Sequence, residues 1–371
     1  ASVVVLAAFA GGIVGCFFYP VGKACCLLAY AVLRLYEFLC LFFQGLPGSL
    51  QILGRPAVYT IIIYYCIAGL ICLLVYHWRK RKKIFLLILL STCLFFPRRN
   101  KTLRITFLDV GQGDGIFLQT ASGANLLVDG GSTSVQNVGT YRILPFLKYN
   151  GVRRIDTMVM THADEDHING LLELIEQSDG SGWHIGRLLV PDIRDPDKSY
   201  EKVVQKAKAK GIPVYAVSDT MGWHEGSLAI TCLNPVKEME YSSANAESIT
   251  LHLQDGAFEC LLTGDLDGEG EEHVTQRLQE RKDTEHVVQR LQERKDTEHV
   301  VQQLQERKDT EHVIQQLQKN AVGEHAMMSS QPEKEKKFML LKAGHHGSKN
   351  SSSDAFLQAV HPDMTVISCG K

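Results

Sequence analysis

The segment Thr161-His162-Ala163-Asp164-Glu165-Asp166-His167-Ile168-Asn169-Gly170 sets two imidazoles and three carboxylates within six residues, directly after the apolar run Met158-Val159-Met160. Imidazole and carboxylate groups bind borderline and hard divalent cations, so a knot of them at the end of a buried strand reads as a metal site. The spacing is His-x-Asp-x-Asp-His. Alternate residues of a tight loop project to one side, so His162 with Asp164 can hold one cation while Asp166 with His167 holds a second nearby. Two later segments repeat the plan of an apolar strand followed by ligand-type side chains: Leu261-Leu262-Thr263-Gly264-Asp265 and Leu341-Lys342-Ala343-Gly344-His345-His346-Gly347-Ser348. A carboxylate at a strand end, such as Asp265, can bridge two cations, because its oxygens match a separation of about 3.5–4 Å.

Short β-rich runs must present these loops. Leu103 to Val110, Gly115 to Thr120 and Asn125 to Val128 are separated by Gly-containing turns and predict a meander. Thr157 to Thr161 is the strand that delivers the first motif, and Leu171 to Gln177 reads as helical. Further strands are predicted at 187–190, 212–217, 227–233, 248–254, 258–263, 338–342 and 364–368, which suggests sheets packed together and flanked by helices. Gly111-x-Gly113-x-Gly115 follows a strand but precedes another, where a dinucleotide loop needs a helix. It is read as a turn with close backbone approach.

Composition divides the 371 residues sharply. Residues 1 to about 97 are dominated by apolar side chains, and almost all the charge lies after Pro97. Val58 to Tyr76 runs nineteen residues without a formal charge, close to the roughly 20 that cross a bilayer, and is the strongest spanning candidate. Residues 24–43 carry only Arg34 and Glu37, three apart, which predicts a paired membrane or interfacial helix. Ala1 begins another apolar run without a basic start or cleavage site, and further membrane helices are expected upstream. The basic run Arg79-Lys80-Arg81-Lys82-Lys83 places that flank in the cytoplasm. If Ile84 to Phe96 then crosses, the following domain lies outside the membrane, although Arg98, Arg99 and Lys101 argue the other way. The expected domains are 1–101, transmembrane segments, and 102–371, a soluble domain that carries the three ligand segments.

Seven of the ten cysteines lie in the apolar part, and the three beyond it give neither a disulfide framework nor a zinc knuckle. A net charge of -2 excludes global attraction to nucleic acid. From Glu272 a thirteen-residue unit, Glu-His-Val-x-Gln-x-Leu-Gln-Glu-Arg-Lys-Asp-Thr, begins four times, with starts at Glu272, Glu285, Glu298 and Glu311. Thirteen residues at about 100° each return the pattern about 220° round the axis, leaving no continuous apolar stripe. Residues 272–335 are therefore read as a solvent-exposed helical insertion, with a partner-binding coiled coil as the alternative.

The order of the three ligand segments resembles the metallo-β-lactamase superfamily and, within it, the DNA-internalization competence proteins (ComEC). Phe107-Leu108-Asp109-Val110-Gly111-Gln112-Gly113-Asp114 and Leu127-Val128-Asp129-Gly130-Gly131 resemble that family's opening landmarks. Asn245 and Ser248, Gly264-Asp265, Lys342 to Ser353 and Val366-Ile367-Ser368-Cys369-Gly370 follow in order. The likeness covers the chain except about 270 to 335.

It implies an α/β fold, a metallo-β-lactamase-like αββα sandwich preceded by transmembrane helices. It also implies one or two divalent metal ions, manganese or zinc. Asp164 stands where the superfamily usually has a second His, which makes the site more oxygen-rich and shifts preference toward manganese. Asp166, His167, Asp265 and His346 are expected to hold the better-defined ion. His162 and Asp164 take the other, whose ligand set only His184, His224 or Asn245 is left to complete. Asp166 and His345 are the expected catalytic residues, His345 contacting phosphate or protonating the leaving oxygen. Lys349 and Ser351-Ser352-Ser353 are candidate backbone contacts. The resemblance implies a multi-pass membrane protein of DNA uptake, acting with DNA, the membrane and other competence-machinery proteins. Its hydrolase domain would lie outside the cytoplasm and cut the non-transported strand. The alternatives are a tethered hydrolase of another phosphodiester or ester, and a DNA transport protein with a degenerate site. His252 and His361 are isolated and read as packing or surface residues.

Overall fold

Strands such as Ile116-Phe117-Leu118 and Leu126-Leu127-Val128 are apolar on both faces, so each needs a layer above and below it. The computed structural model describes residues 2–46, 51–77, 102–178, 182–237, 239–294 and 337–370. The chain forms two compact units, 1–52 and 53–371.

In the first unit, α1 (Ser2–Phe17) and α2 (Tyr19–Gln44) form a helical pair. Gly22 faces Gly15 with no room for a Cβ of its own, a small-residue contact that lets two helices approach closely. Arg34 Nη1 lies 2.7 Å from Glu37 Oε2, the predicted pair.

The second unit begins with α3 (Val58–His77). Among the described residues, the helix long and apolar enough to cross a membrane is α2. The segment favoured from sequence, Val58 to Tyr76, lies within the 20-residue apolar helix α3. The paired Arg34 and Glu37 did not spoil α2, because two charges in a 26-residue helix leave its mean hydropathy high. The basic run and Ile84 to Phe96 lie outside the described residues, as does the boundary expected at 101.

The remaining elements are β1 (Arg104–Phe107), β2 (Ile116–Gln119), β3 (Asn125–Val128), α4 (Leu144–Tyr149), β4 (Arg154–Ile155), β5 (Thr157–Val159), α5 (Glu165–Gln177), β6 (His184–Ile185), β7 (Leu188–Pro191), α6 (Lys198–Ala209), β8 (Val214–Val217), β9 (Gly222–Glu225), β10 (Leu228–Asn234), β11 (Thr250–Asp255), β12 (Phe258–Leu262), α7 (Gly268–Arg294), β13 (Phe338–Lys342), α8 (Asp354–Val360) and β14 (Met364–Val366). One six-stranded sheet has the order β1-β2-β3-β5-β7-β8 and the other β14-β13-β12-β11-β10-β9, with β4 and β6 as a separate short ladder. The first opens with the predicted antiparallel meander and continues in parallel from β3. The second is antiparallel until β12, which runs parallel to β13 and β13 to β14.

Between the sheets lies a core that includes Ile116, Leu118, Leu126 and Val128 on one side and Ile230, Leu251, Leu253 and Leu262 on the other. The outer face of the second sheet packs Leu233, Leu261 and Leu341 against Val274 and Leu278 of α7 and Phe356 of α8. On the first sheet, Phe117 meets Phe146 of α4 edge to face at 5.6 Å. These layers make the αββα sandwich. Strands β5, β12 and β13 all release their ligand segments at their C-terminal ends, the side on which parallel strands of α/β folds place their sites.

Two expectations change here. The ligand segment is not one tight loop: α5 starts at Glu165, so Asp166 and His167 stand in its first turn and only His162 to Asp164 remain loop. The acidic start favours that helix, since carboxylates suit a helix N-terminus. The repeat region is also not wholly exposed, because Val274, Thr275 and Leu278 are buried where α7 crosses the second sheet. The first repeat copy therefore begins inside the sandwich, and residues 295–336 lie outside the described ones.

Candidate metal centre

Asp166, His167, Asp265 and His346 each bring a ligand atom into one group whose members all lie within 4.8 Å of one another. His346 Nε2 is 3.1 Å from Asp166 Oδ2 and 3.3 Å from Asp265 Oδ2, and His167 Nε2 is 3.3 Å from the same Asp265 oxygen. The predicted quartet from three distant segments is thus brought together.

The backbone explains why these side chains converge. Gly113 (φ +146) and Gly131 pass so close to the Asp166 backbone that a Cβ on either would collide with it. The turn before β2 and the turn after β3 thereby clamp the start of α5. At the third segment His345 (φ 43) and His346 (φ 52) both adopt left-handed backbone, a sparsely populated region for side chains of this size that marks functional strain. The two rings part as a result, with centroids 6.5 Å apart. His346 enters the centre. His345 stays at its rim, with Nδ1 3.2 Å from Asn245 Nδ2 and 3.4 Å from Asp267 Oδ2.

A second layer of contacts orients the ligands. Asp129 Oδ2 lies 2.8 Å from His167 Nδ1, while Asp129 accepts hydrogen bonds from Thr161 N at 2.8 Å and Thr161 Oγ1 at 2.7 Å. His346 Nδ1 lies 2.6 Å from the Ser368 carbonyl, which accepts its proton and leaves Nε2 free to coordinate. Lys342, fully buried, contacts Asp114, Gly264 O at 2.8 Å and Asp265 Oδ1 at 3.4 Å. Asp265 therefore turns one oxygen to the lysine and only Oδ2 to the ligand group, where both oxygens were expected to serve cations. The sequence reading quoted Asp114, Asp129, Lys342 and Ser368 as parts of landmarks without giving them a role. The signal was Asp129 itself, a charged residue ending an apolar strand.

The other half is sparser. His162 Nε2 is 3.6 Å from Asp164 Oδ2, and the His162 ring stacks obliquely near His167 with centroids 4.1 Å apart. Asp164 occupies the position before α5 yet caps none of its N–H groups. Among the described residues no third His, Cys, Asp or Glu joins His162 and Asp164 in a ligand group. His184 and His224 are exposed, and Asn245 contacts His345 and Asp267. None of the three completes the set.

Electrostatics fit a cation. Burial opposes charge on His346, but Asp166 and Asp265 push its pKa up to about 10. At His167 burial again opposes charge, and Asp129 and Asp265 override it. Burial would raise Asp265, yet His167, His346 and Lys342 hold it far below the usual carboxylate range. The His162 imidazole, 3.6 Å away, holds the Asp164 carboxyl below the usual carboxylate range. The Nε2 atoms of His162 and His167 are buried without a hydrogen-bond partner, a state that buried polar atoms rarely tolerate and that a bound cation relieves. The donors are two to three imidazoles and two to three carboxylates, a set suited to manganese, zinc or iron.

The loop after β13 bears on the expected serine contacts. Ser351 Oγ is buried against Gly344 O at 2.8 Å, and Ser353 Oγ accepts from Phe356 N at 3.3 Å to cap α8. The N–H groups of Ser352 and Ser353 donate to Glu271. The hydroxyls of Ser351 and Ser353 thus hold the loop, whereas the Ser352 hydroxyl has no hydrogen-bond partner among the described residues, which leaves Ser352 and Lys349 as the candidate contacts. His252 is buried and paired with Glu259 at 2.8 Å, a packing role as read.

Two six-stranded sheets between helices, with ligand segments at the ends of β5, β12 and β13, define a class: the chain belongs to the metallo-β-lactamase superfamily, whose sequence pattern matches residues 108–371. The relatives are competence proteins. The chain is 24% identical over 289 residues to ComE operon protein 3 of Bacillus subtilis (strain 168), covering 74% of this chain and 29% of that one. It is 26% identical over 266 residues to competence protein ComA of Neisseria gonorrhoeae, covering 72% and 27%. It is 22% identical over 288 residues to recombination protein 2 of Haemophilus influenzae, covering 77% and 27%. The competence-family resemblance carried by the motifs agrees with these matches, and the chain spans less than a third of the length of each relative.

Proposed function

We propose that the sandwich domain is a metal-dependent phosphodiesterase, and that it serves a membrane DNA-uptake protein by hydrolysing the non-transported strand. The observation that carries this reading is the convergence of Asp166, His167, Asp265 and His346 on one point, with the buried Nε2 atoms of His162 and His167 facing carboxylates without a well-formed hydrogen bond. The competence proteins among the relatives support the DNA assignment. The domain would face away from the cytoplasm, with α2 among its membrane helices.

A divalent cation in this centre supplies water activation at neutral pH, lowering the pKa of a coordinated water toward about 7, and neutralises charge on phosphoryl oxygens. The protein's own groups do the positioning. His346 offers Nε2 because Ser368 O takes Nδ1–H, and His167 does so because Asp129 takes its Nδ1–H. His345 stands at the rim, partly exposed and with Asp267 beside Nδ1, so it can protonate a leaving oxygen. Asp166 fills its catalytic role as a ligand carboxylate that sits between the centre and solvent.

The test uses the full chain in detergent micelles with linear single- and double-stranded DNA, adding manganese, zinc or chelator. Metal-dependent cleavage is expected, abolished in Asp166→Ala and His346→Ala. Intact DNA under every metal contradicts the nuclease reading.

One observation favours a second reading, hydrolysis of a smaller phosphodiester or ester. A cavity of about 440 Å³ beside His162 carries Asp195, Asp197, Glu240 and Glu247 against Arg194. Arg194 is itself tied to Glu240 at 2.7 Å. Burial, reinforced by Asp197 and Asp195, raises the pKa of Glu247. Such a lining disfavours a long polyanion and suits a neutral or cationic substrate portion. Turnover in a panel of small phosphodiesters, with DNA left intact, would select it.

A further inference from the structure

We propose that Lys342 is a positioning residue of the metal centre: its ammonium, anchored by Asp114, holds Oδ1 of Asp265 so that Oδ2 faces His167 and His346. The proposal rests on the metal-centre reading above and adds to it a residue that touches neither cation nor substrate.

Lysine is almost never fully buried unless it is paired, yet Lys342 has no exposed surface and ends β13 between two acidic side chains. Its Nζ donates to Gly264 O at 2.8 Å and lies 3.4 Å from Asp265 Oδ1. Gly264 has φ +56, and its residue is the turn that swings Asp265 out of β12. One ammonium thus fixes both the turn and the carboxylate that the turn carries. From the other side, Thr263 Oγ1 donates to Lys342 O at 2.8 Å, so strand and side chain are tied together.

Stability does not account for this arrangement. Buried ion pairs contribute little net stability, and replacing one by apolar groups is often neutral or stabilising. Asp114, itself buried, has Lys342 as its nearest counter-charge, with His346 Nδ1 farther off at 3.9 Å from its Oδ1. The Lys342–Asp114 pair is neutral as a unit. Its effect on the centre is therefore orientation of Asp265 rather than added charge. Outer partners of this kind typically change metal affinity about 10–100-fold.

The experiment separates orientation from charge. The full chain in detergent is titrated with manganese, and the Kd and the melting temperature without metal are measured for the parent, D114N/K342M and D114N/K342Q. Both double variants keep the net charge of the site. Methionine returns no hydrogen bond, whereas glutamine returns an amide donor. The expected result is a manganese Kd weakened about 10–100-fold in D114N/K342M, with a smaller loss in D114N/K342Q and melting close to the parent. A parental Kd in D114N/K342M overturns the proposal, because Lys342 then only balances Asp114. If D114N/K342M does not fold, D114N/K342Q decides: a weakened Kd supports the proposal and a parental Kd overturns it. Absence of manganese binding by the parent overturns the metal-centre reading and this proposal with it, which distinguishes that failure from the first.

Discussion

The two halves of the ligand segment differ in what stands behind them. Asp166 and His167 lie in the first turn of α5, where Gly113 and Gly131 clamp the backbone and Asp129 takes the second nitrogen of His167. His162 and Asp164 lie in the loop before that turn. Thr161 Oγ1 lies 3.1 Å from His162 Nδ1, and Asp164, with a half-exposed side chain, has His162 as its neighbour. Ligand-type residues are equally dense in both halves. A supporting layer exists for one, and that layer separates a preorganised site from a local concentration of donors.

The largest expected effect is on the supported half. His346→Ala or Asp265→Asn removes a ligand, and manganese titration of the full chain should show affinity falling by more than about 100-fold, beyond the loss typical of an outer partner. Asp129→Asn should cost about 10–100-fold in the same titration, because the amide no longer holds His167 in one tautomer. His162→Ala should change that affinity less than about tenfold, since this residue belongs to the sparse half. A loss as large as that of His346→Ala would place His162 in the main site and erase the difference between the halves.

The smallest effect on metal is expected far from both, at the start of β12. Glu259 is held down to about 2 by its hydrogen bond with His252, against burial and with help from Lys337. Its folded pKa lies below the unfolded value of about 4.5, so its contribution is fully present above pH 4.5 and is lost as pH falls toward 2. Glu259→Gln should leave manganese affinity unchanged and remove on the order of 1–2 kcal/mol of acid-sensitive stability, read from denaturant melts at pH 6 and pH 3.

Much of this was legible because each ligand segment follows an apolar strand. The β-rich runs read at 115–120, 125–128, 227–233 and 248–254 lie within one or two residues of the strands observed. The supported quartet was also named from spacing and family likeness. Three things were not legible. The helix start at Glu165 was hidden because Thr161 to His167 contains ligand residues at every other position, which mimics an extended loop. Strand β9 (Gly222–Glu225) is a four-residue edge strand whose one apolar side chain is Trp223, too short a pattern to read as a strand. The partners behind the ligands, Asp129 and Lys342, sit at strand ends far away in sequence, and only the pairing of β3 with β5 and of β12 with β13 brings them to the centre.

The most direct measurement is metal content. The full chain in detergent is equilibrated with manganese, freed of unbound ions and analysed by elemental mass spectrometry. The geometry predicts at least about one retained ion per chain for the parent and for His162→Ala, and none for His346→Ala, because a closed ligand set is needed for retention. A parent that retains no ion, or a His346→Ala variant that retains as much as the parent, would contradict the account.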